Sequence, residues 1–340
     1  MAERINWYRT PVKRENLRAL TKKSNASGLF QAGGFLLVFI ATAGLSLYFF
    51  VQQMWIMMIV ACYVHAMFHS FIGMEAAVHE LSHGTAFASK GLNEFFYRLF
   101  SFLSWNNYLH FRVSHMRHHQ LTVHRGLDKE VIIEPISFTW KDYLSWFTFD
   151  FTHFKRIMKP NIAHFFGKAD VDVFFWDPLL PQGDPRRKTM CNWARFMFIG
   201  HLLLLALFIY FQLWVLIFVI TFGYFFASFL GRACGALQHL GLHPSVPDWR
   251  VSCHTVKMNP VVAFLYWQMN YHIEHHMYAA VPFHRLKKLH AAIAADTPKP
   301  PRSFTAGLLR LRTIKKAQKK DPSYSYLPEF PDTATPPRMS

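Results

Sequence analysis

The sequence predicts an all-α integral membrane protein: four transmembrane helices in two hairpins, under a cytoplasmic helical cap that holds a two-metal site. Two long charge-free runs and three short histidine clusters carry this reading. The first run lies between Lys23 and Glu75, the second between Arg195 and Arg232. A membrane-crossing helix needs ~20 apolar residues, so each run has room for two. The clusters are His79-Glu-Leu-Ser-His83, His115-Met-Arg-His118-His119 and His272-Ile-Glu-His275-His276, eight of the 20 histidines in the chain. Residues at i, i+3 and i+4 of a helix share a face, so each cluster offers its imidazoles to one side. Eight imidazoles are too many for one tetrahedral site. They fit two transition-metal ions, and imidazole suits iron, copper, nickel or zinc.

The bulk composition agrees with a membrane protein. Of the 340 residues, 52% are hydrophobic, and Phe alone contributes 35. The net charge of +17 sits beside the apolar runs. That placement reads as cytoplasmic flanks in contact with anionic lipid rather than as a nucleic-acid surface. Cys62, Cys191, Cys234 and Cys253 are scattered, with no C-x-x-C pair, and make no disulfide framework. There is no P-loop, no G-x-G-x-x-G and no G-x-S-x-G, so nucleotide and serine-hydrolase chemistry have no footing.

In chain order, residues 1–28 form a basic N-terminal arm with seven Lys/Arg, expected as a solvated cytoplasmic segment. The first apolar run is too long for the core of a cleaved leader and is expected to stay as an anchor. The first hairpin is placed at residues 30–50 and 54–74, turning at Val51-Gln52-Gln53. The second helix is expected to run on into the first cluster. His65 and His69 within it are candidates for a polar seam or for interhelical hydrogen bonds. Residues 94–105 read as an interfacial or buried helix. His124, Asp128 and Glu130 follow the second cluster, and the acids are candidates to accept an imidazole N–H. Residues 141–166 suit a helix on the membrane surface, and residues 174–188 a Pro-rich connector. The second hairpin is placed at residues 196–211 and 213–231, with His201 as a packing residue. With basic flanks on both runs, both termini and the whole cap (residues 75–195 and 232–298) fall in the cytoplasm. Residues 299–340 form a basic, then Pro-rich tail that is expected to be partly disordered.

From about Leu29 to His290 the chain resembles the membrane-bound fatty acid desaturase superfamily, whose eight-histidine di-iron signature is shared with alkane and acyl hydroxylases. The likeness is sharpest at Ser114-His115-Met116-Arg117-His118-His119 and Asn270-Tyr271-His272-Ile273-Glu274-His275-His276. The resemblance implies two non-haem iron ions held by His79, His83, His115, His118, His119, His272, His275 and His276, with O2 as co-substrate. It also implies a lipid or fatty acyl substrate and an external electron donor of ferredoxin, rubredoxin or cytochrome type. Desaturation of an acyl chain is the expected reaction, with hydroxylation on the same scaffold as the alternative. Members of the superfamily carry a further ligand upstream of the third cluster, in a pair of residues four apart. Here the pair is His239 and His243, with His243 expected as the ninth ligand and His239 ranked behind it.

Overall fold

A computed structural model describes residues 5–131 and 135–339; the first four residues of the basic arm, Arg4 among them, and Ser340 lie outside it. Among the described residues the structure is helical, with three isolated β-bridges and no strand.

Three helices are long and apolar enough to cross a membrane: Asn25–Val51, Trp55–Ser82 and Arg186–Tyr210. The first is capped by Ser24, whose side chain accepts from the Ser27 N–H. Gln52 to Met54 turns the chain, with Gln53 in the left-handed region (φ 55°), at the break read from the sequence. Phe30, Leu37, Ile56, Leu203 and Tyr210 on these helices are exposed, as lipid-facing side chains must be. The opposite faces are polar where helix meets helix. His65 Nδ1 lies 2.7 Å from Thr42 Oγ1 and its Nε2 lies 3.1 Å from the Val219 carbonyl. His69 Nε2 lies 3.1 Å from the Leu103 carbonyl. Both are interhelical hydrogen bonds, not a chain of groups reaching the clusters. His201 stacks between Phe102 and Trp105 and reaches the Phe102 carbonyl at 3.1 Å.

The second hairpin departs from the expectation of two full spans. Its first helix begins at Arg186, ten residues before the expected residue 196. Its second arm, Trp214–Phe225, changes from α to π geometry at Ile217 and to 3-10 at Gly223. Ala227, at φ 47°, then breaks the arm before a new helix, Phe229–His239, begins. At 1.5 Å per residue such an arm is about 18 Å long, short of the ~30 Å hydrocarbon core. Close packing accounts for the irregularity. A Cβ on Gly223 would come within 2.9 Å of His69 Nδ1, and one on Gly231 within 2.9 Å of Ser70 Oγ. The arm is thus drawn against the second span rather than run straight through.

That second span is also interrupted before the first cluster. Its α-helix ends at His69, a 3-10 turn covers Ser70–Ile72, and a separate helix, Ala77–Ser82, carries the cluster. Gly73 sits at the bend, where a Cβ would lie 2.1 Å from the Tyr224 hydroxyl.

Below the spans, the helix expected at residues 94–105 runs from Lys90 to Leu103 and buries Phe96, Tyr97 and Phe100. Helices Tyr108–Leu121 and His272–Met277 carry the second and third clusters. The helix Phe283–Ile293 packs beneath them through Phe283, Leu286 and Leu289.

The described part of the C-terminal tail packs on the protein, against the expectation of disorder, and the described part of the N-terminal arm meets it at Arg250. Its guanidinium is wholly buried and pairs with Asp248 at 2.7 Å and Asp296 at 2.9 Å. Carbonyls of Thr335 and Pro336 in the tail accept from it, and the Tyr8 ring of the arm lies 3.9 Å from its central carbon. A buried cation needs acceptors on every side, so both ends of the chain are drawn onto it. Within the tail, Phe304–Lys320 is a helix capped by Ser303. Arg250→Ala should destabilise the protein by about 3–5 kcal/mol, since the buried Asp248 carboxylate, and with it the part-exposed Asp296, lose their partner; unfolding in mild detergent measures it.

Candidate metal centre

The imidazoles of all three clusters meet beneath the spans and fall into two groups. His79, His83, His115, His119 and His275 place one ring nitrogen each within 4.8 Å of one another, and so do His118, His239 and His276. His272 joins the second group: its Nε2 lies 2.9 Å from His239 Nε2 and 3.1 Å from His276 Nε2. The division follows helix geometry. At 3.6 residues per turn, residues four apart lie nearly in line, whereas residues three apart point to opposite sides of that line. Hence 79/83, 115/119 and 272/276 each stay together, while His118 and His275 cross to the other group.

Four of the outer ring nitrogens are held by hydrogen bonds that fix the tautomer. His115 Nδ1 meets the Glu130 carboxylate and His118 Nδ1 the Asp128 carboxylate, both at 2.7 Å. His239 Nδ1 lies 2.9 Å from the Ser252 carbonyl, and His276 Nδ1 lies 3.2 Å from Thr122 Oγ1. With Nδ1–H committed outward, each Nε2 turns a bare lone pair inward. Nε2 atoms of the first group lie close together: His79 and His275 at 3.0 Å, His83 and His115 at 3.1 Å, His115 and His119 at 3.1 Å. His115 Nε2, whose proton is on Nδ1, faces both His83 and His119, the arrangement a cation among the three would hold. Metal–nitrogen bonds of ~2.0–2.1 Å set neighbouring ligand nitrogens about 3 Å apart, so the residues fit a pair of metal ions.

Electrostatics agree. Burial pushes His83 and His239 down to about 3. Burial, then neighbouring imidazoles, hold His115, His119, His272, His275 and His276 well below the usual value. The rings are therefore neutral, as ligation requires. His118 is the exception: burial acts against its charge, but the Asp128 carboxylate outweighs burial and raises it.

Of the pair expected to supply a ninth position, the structure brings His239, not His243, to the clusters. His239 is the last residue of its helix and points into the second group. His243 belongs to neither group. The helix stops at Leu240, and Gly241 at φ 77° reverses the chain, so no helical face joins the two histidines. His243 is part-exposed, and its Nε2 has no hydrogen-bond partner.

The two acids downstream of the second cluster contact its imidazoles, whereas His124 turns away and bonds the Leu121 and Thr122 carbonyls. Three contributors escape sequence reading. Glu80, inside the first cluster, has a carboxylate oxygen 3.8 Å from His275 Nδ1. Thr122 follows the second cluster directly. Glu274, inside the third, accepts from Thr255 and lies 2.6 Å from His290 Nδ1. The only signal for them is adjacency to the histidines.

A cavity of about 200 Å³ opens onto His79, His115 and His118 and is lined also by Glu75, Phe111, Arg156 and Arg232. A larger cleft of about 790 Å³, between Phe95, Leu99, Phe102, Trp193 and Phe196, touches none of the nine histidines. The smaller cavity is therefore the one placed for chemistry at the imidazoles.

Comparison with known proteins agrees with this centre. No curated protein matches the chain. Residues 53–307, three-quarters of its length, match the family model for fatty acid desaturase. That stretch contains every histidine of both groups, and the chain belongs to the fatty acid desaturase family.

Proposed function

We propose that the protein is a membrane-bound, O2-dependent di-iron fatty acyl desaturase. The observation that carries this reading is the convergence of nine imidazoles in two groups within the family-matched stretch. One ion would be held by His79, His83, His115, His119 and His275, the other by His118, His239, His272 and His276. Iron with O2 supplies the oxidising power that an unactivated C–H bond demands and that acid–base side chains lack. Asp128, Glu130, Ser252 and Thr122 keep the inward lone pairs aimed. Burial of the imidazoles excludes water. Phe111 and Met74 offer apolar wall to an acyl chain in the small cavity. Hydroxylation of an alkyl or acyl chain is the alternative, since both reactions begin by removing one hydrogen.

Protein purified without oxygen is expected to contain about two iron atoms per chain, as the two ligand groups require; one zinc and no iron would reject the reading. Lipids of cells with and without the protein should differ in double bonds. New hydroxyl groups instead would select the alternative.

For orientation, the basic flanks of the spans favour termini and metal centre on the cytoplasmic side. A reporter inserted near Gly183 and one fused after Ser340 should both read cytoplasmic, and either one outside would reject this arrangement.

A further inference from the structure

The second group of imidazoles is connected to the protein surface through residues that do not line the cavity. Trp249 is 2% exposed, and its indole N–H donates to Thr122 Oγ1 at 3.2 Å. The one proton of that hydroxyl goes to the His118 carbonyl at 2.8 Å, so the oxygen also accepts the His276 Nδ1–H at 3.2 Å. Outward, Trp249 stacks on Trp7, with ring centroids 4.5 Å apart and planes 3° from parallel. Trp7 is part-exposed, donates to the Gln120 carbonyl at 2.8 Å, and sets its ring edge-on to His124. Thus two stacked indoles and one hydroxyl link a surface ring to an imidazole of the centre without a gap. The cavity, by contrast, is lined by His79, His115 and His118 and not by His276.

The surface around Trp7 is cationic. Arg9 places its guanidinium 5.6 Å from the Trp249 ring. Arg338 donates to the carbonyl of Asn6, next to Trp7, and Arg125 follows His124. All three are exposed. Such a rim speeds encounter with an acidic partner.

We propose that Trp7, Trp249, Thr122 and His276 form the electron-entry path, and that the rim of Arg9, Arg125 and Arg338 docks a reduced one-electron carrier with an acidic face. The inference rests on the di-iron reading above. Desaturation takes two hydrogens from the substrate, and two electrons and two protons from outside, to reduce O2 to two waters. Hydroxylation consumes the same two external electrons. A one-electron carrier supplies them in two encounters, leaving oxidised each time, while the protons come from solvent. Delivery at His276 leaves the cavity side free for substrate.

The test is anaerobic stopped-flow reduction of the oxidised, iron-loaded full-length protein, followed by the bleaching or recovery of the carrier's own visible band. An acidic [2Fe–2S] ferredoxin and an acidic cytochrome b5 domain serve as carriers, and dithionite as a small reductant that needs no docking. Trp7→Ala should slow reduction by the better carrier about tenfold or more, as loss of a central interface aromatic does, with iron content and the dithionite rate unchanged. Trp7→Phe, which keeps a stacked ring, should restore most of the rate, and added salt should slow the wild type. A carrier rate for Trp7→Ala within about twofold of wild type overturns the proposal. So does an equal loss of the dithionite rate, which would make Trp7 a structural prop, or a dithionite-competent enzyme that accepts electrons from neither carrier. A wild-type protein that no reductant reduces removes the di-iron reading itself, and this inference with it.

Discussion

His239→Ala is expected to lose metal from the second group and to abolish turnover, whereas His243→Ala keeps both. His239 Nε2 lies 2.9 Å from His272 Nε2, and its Nδ1 is tied to the Ser252 carbonyl at 2.9 Å. The second group has four imidazoles, so the change leaves three. It also leaves His272 facing an empty space where a shared cation would have neutralised its lone pair. A shared metal site depends on every member for affinity. His243 lies past Gly241, with its backbone N–H on the Val251 carbonyl at 3.1 Å and its ring in neither group. Iron determination and single-turnover assays of both variants settle the order. Full iron and normal turnover in His239→Ala would restore the original ranking.

Asp128→Asn should cost about 10–100-fold in metal affinity or activity, the usual penalty for losing the carboxylate behind a ligating imidazole. Asp128 is 3% exposed. One of its oxygens meets His118 Nδ1 at 2.7 Å and also accepts the Val123 N–H at 2.8 Å. The other accepts from the backbone N–H of Glu130 and of Val131. The carboxylate thus faces only donors. An amide must turn its own NH2 toward at least one of them, and it removes the negative charge that polarises His118. The adjoining loop, which presents Glu130 to His115, should loosen as well. Circular dichroism distinguishes this from global unfolding. Unchanged iron affinity and a rate within about twofold would show that His118 needs no carboxylate.

Much of this was legible in one dimension. The lack of charge between Lys23 and Glu75 determined the first hairpin, because a charge in hydrocarbon is costly and a turn needs only Gln52 and Gln53. The spacing of the three clusters pointed to eight imidazoles on helix faces that could serve as metal ligands. Asp128 and Glu130 were candidates because a loop that close to a helix end can fold back on it.

Tertiary structure decided the rest. The second apolar run could not show that Trp214–Phe225 would bend at Gly223, because the cause is His69 of another helix. Partial disorder of the C-terminal tail was the composition-based expectation, and its described residues depart from it because Arg250, one buried charge, recruits Thr335 and Pro336, with Tyr8 of the N-terminal arm, across the sequence. The choice of His239 over His243 turned on one left-handed glycine. The sequence by itself determined which residue types converge, since helical period and hydrophobic patterning are local. Only the tertiary structure decided which imidazoles lie together, because that depends on how the helices are rotated against each other, and rotation is set by packing between segments far apart in the chain.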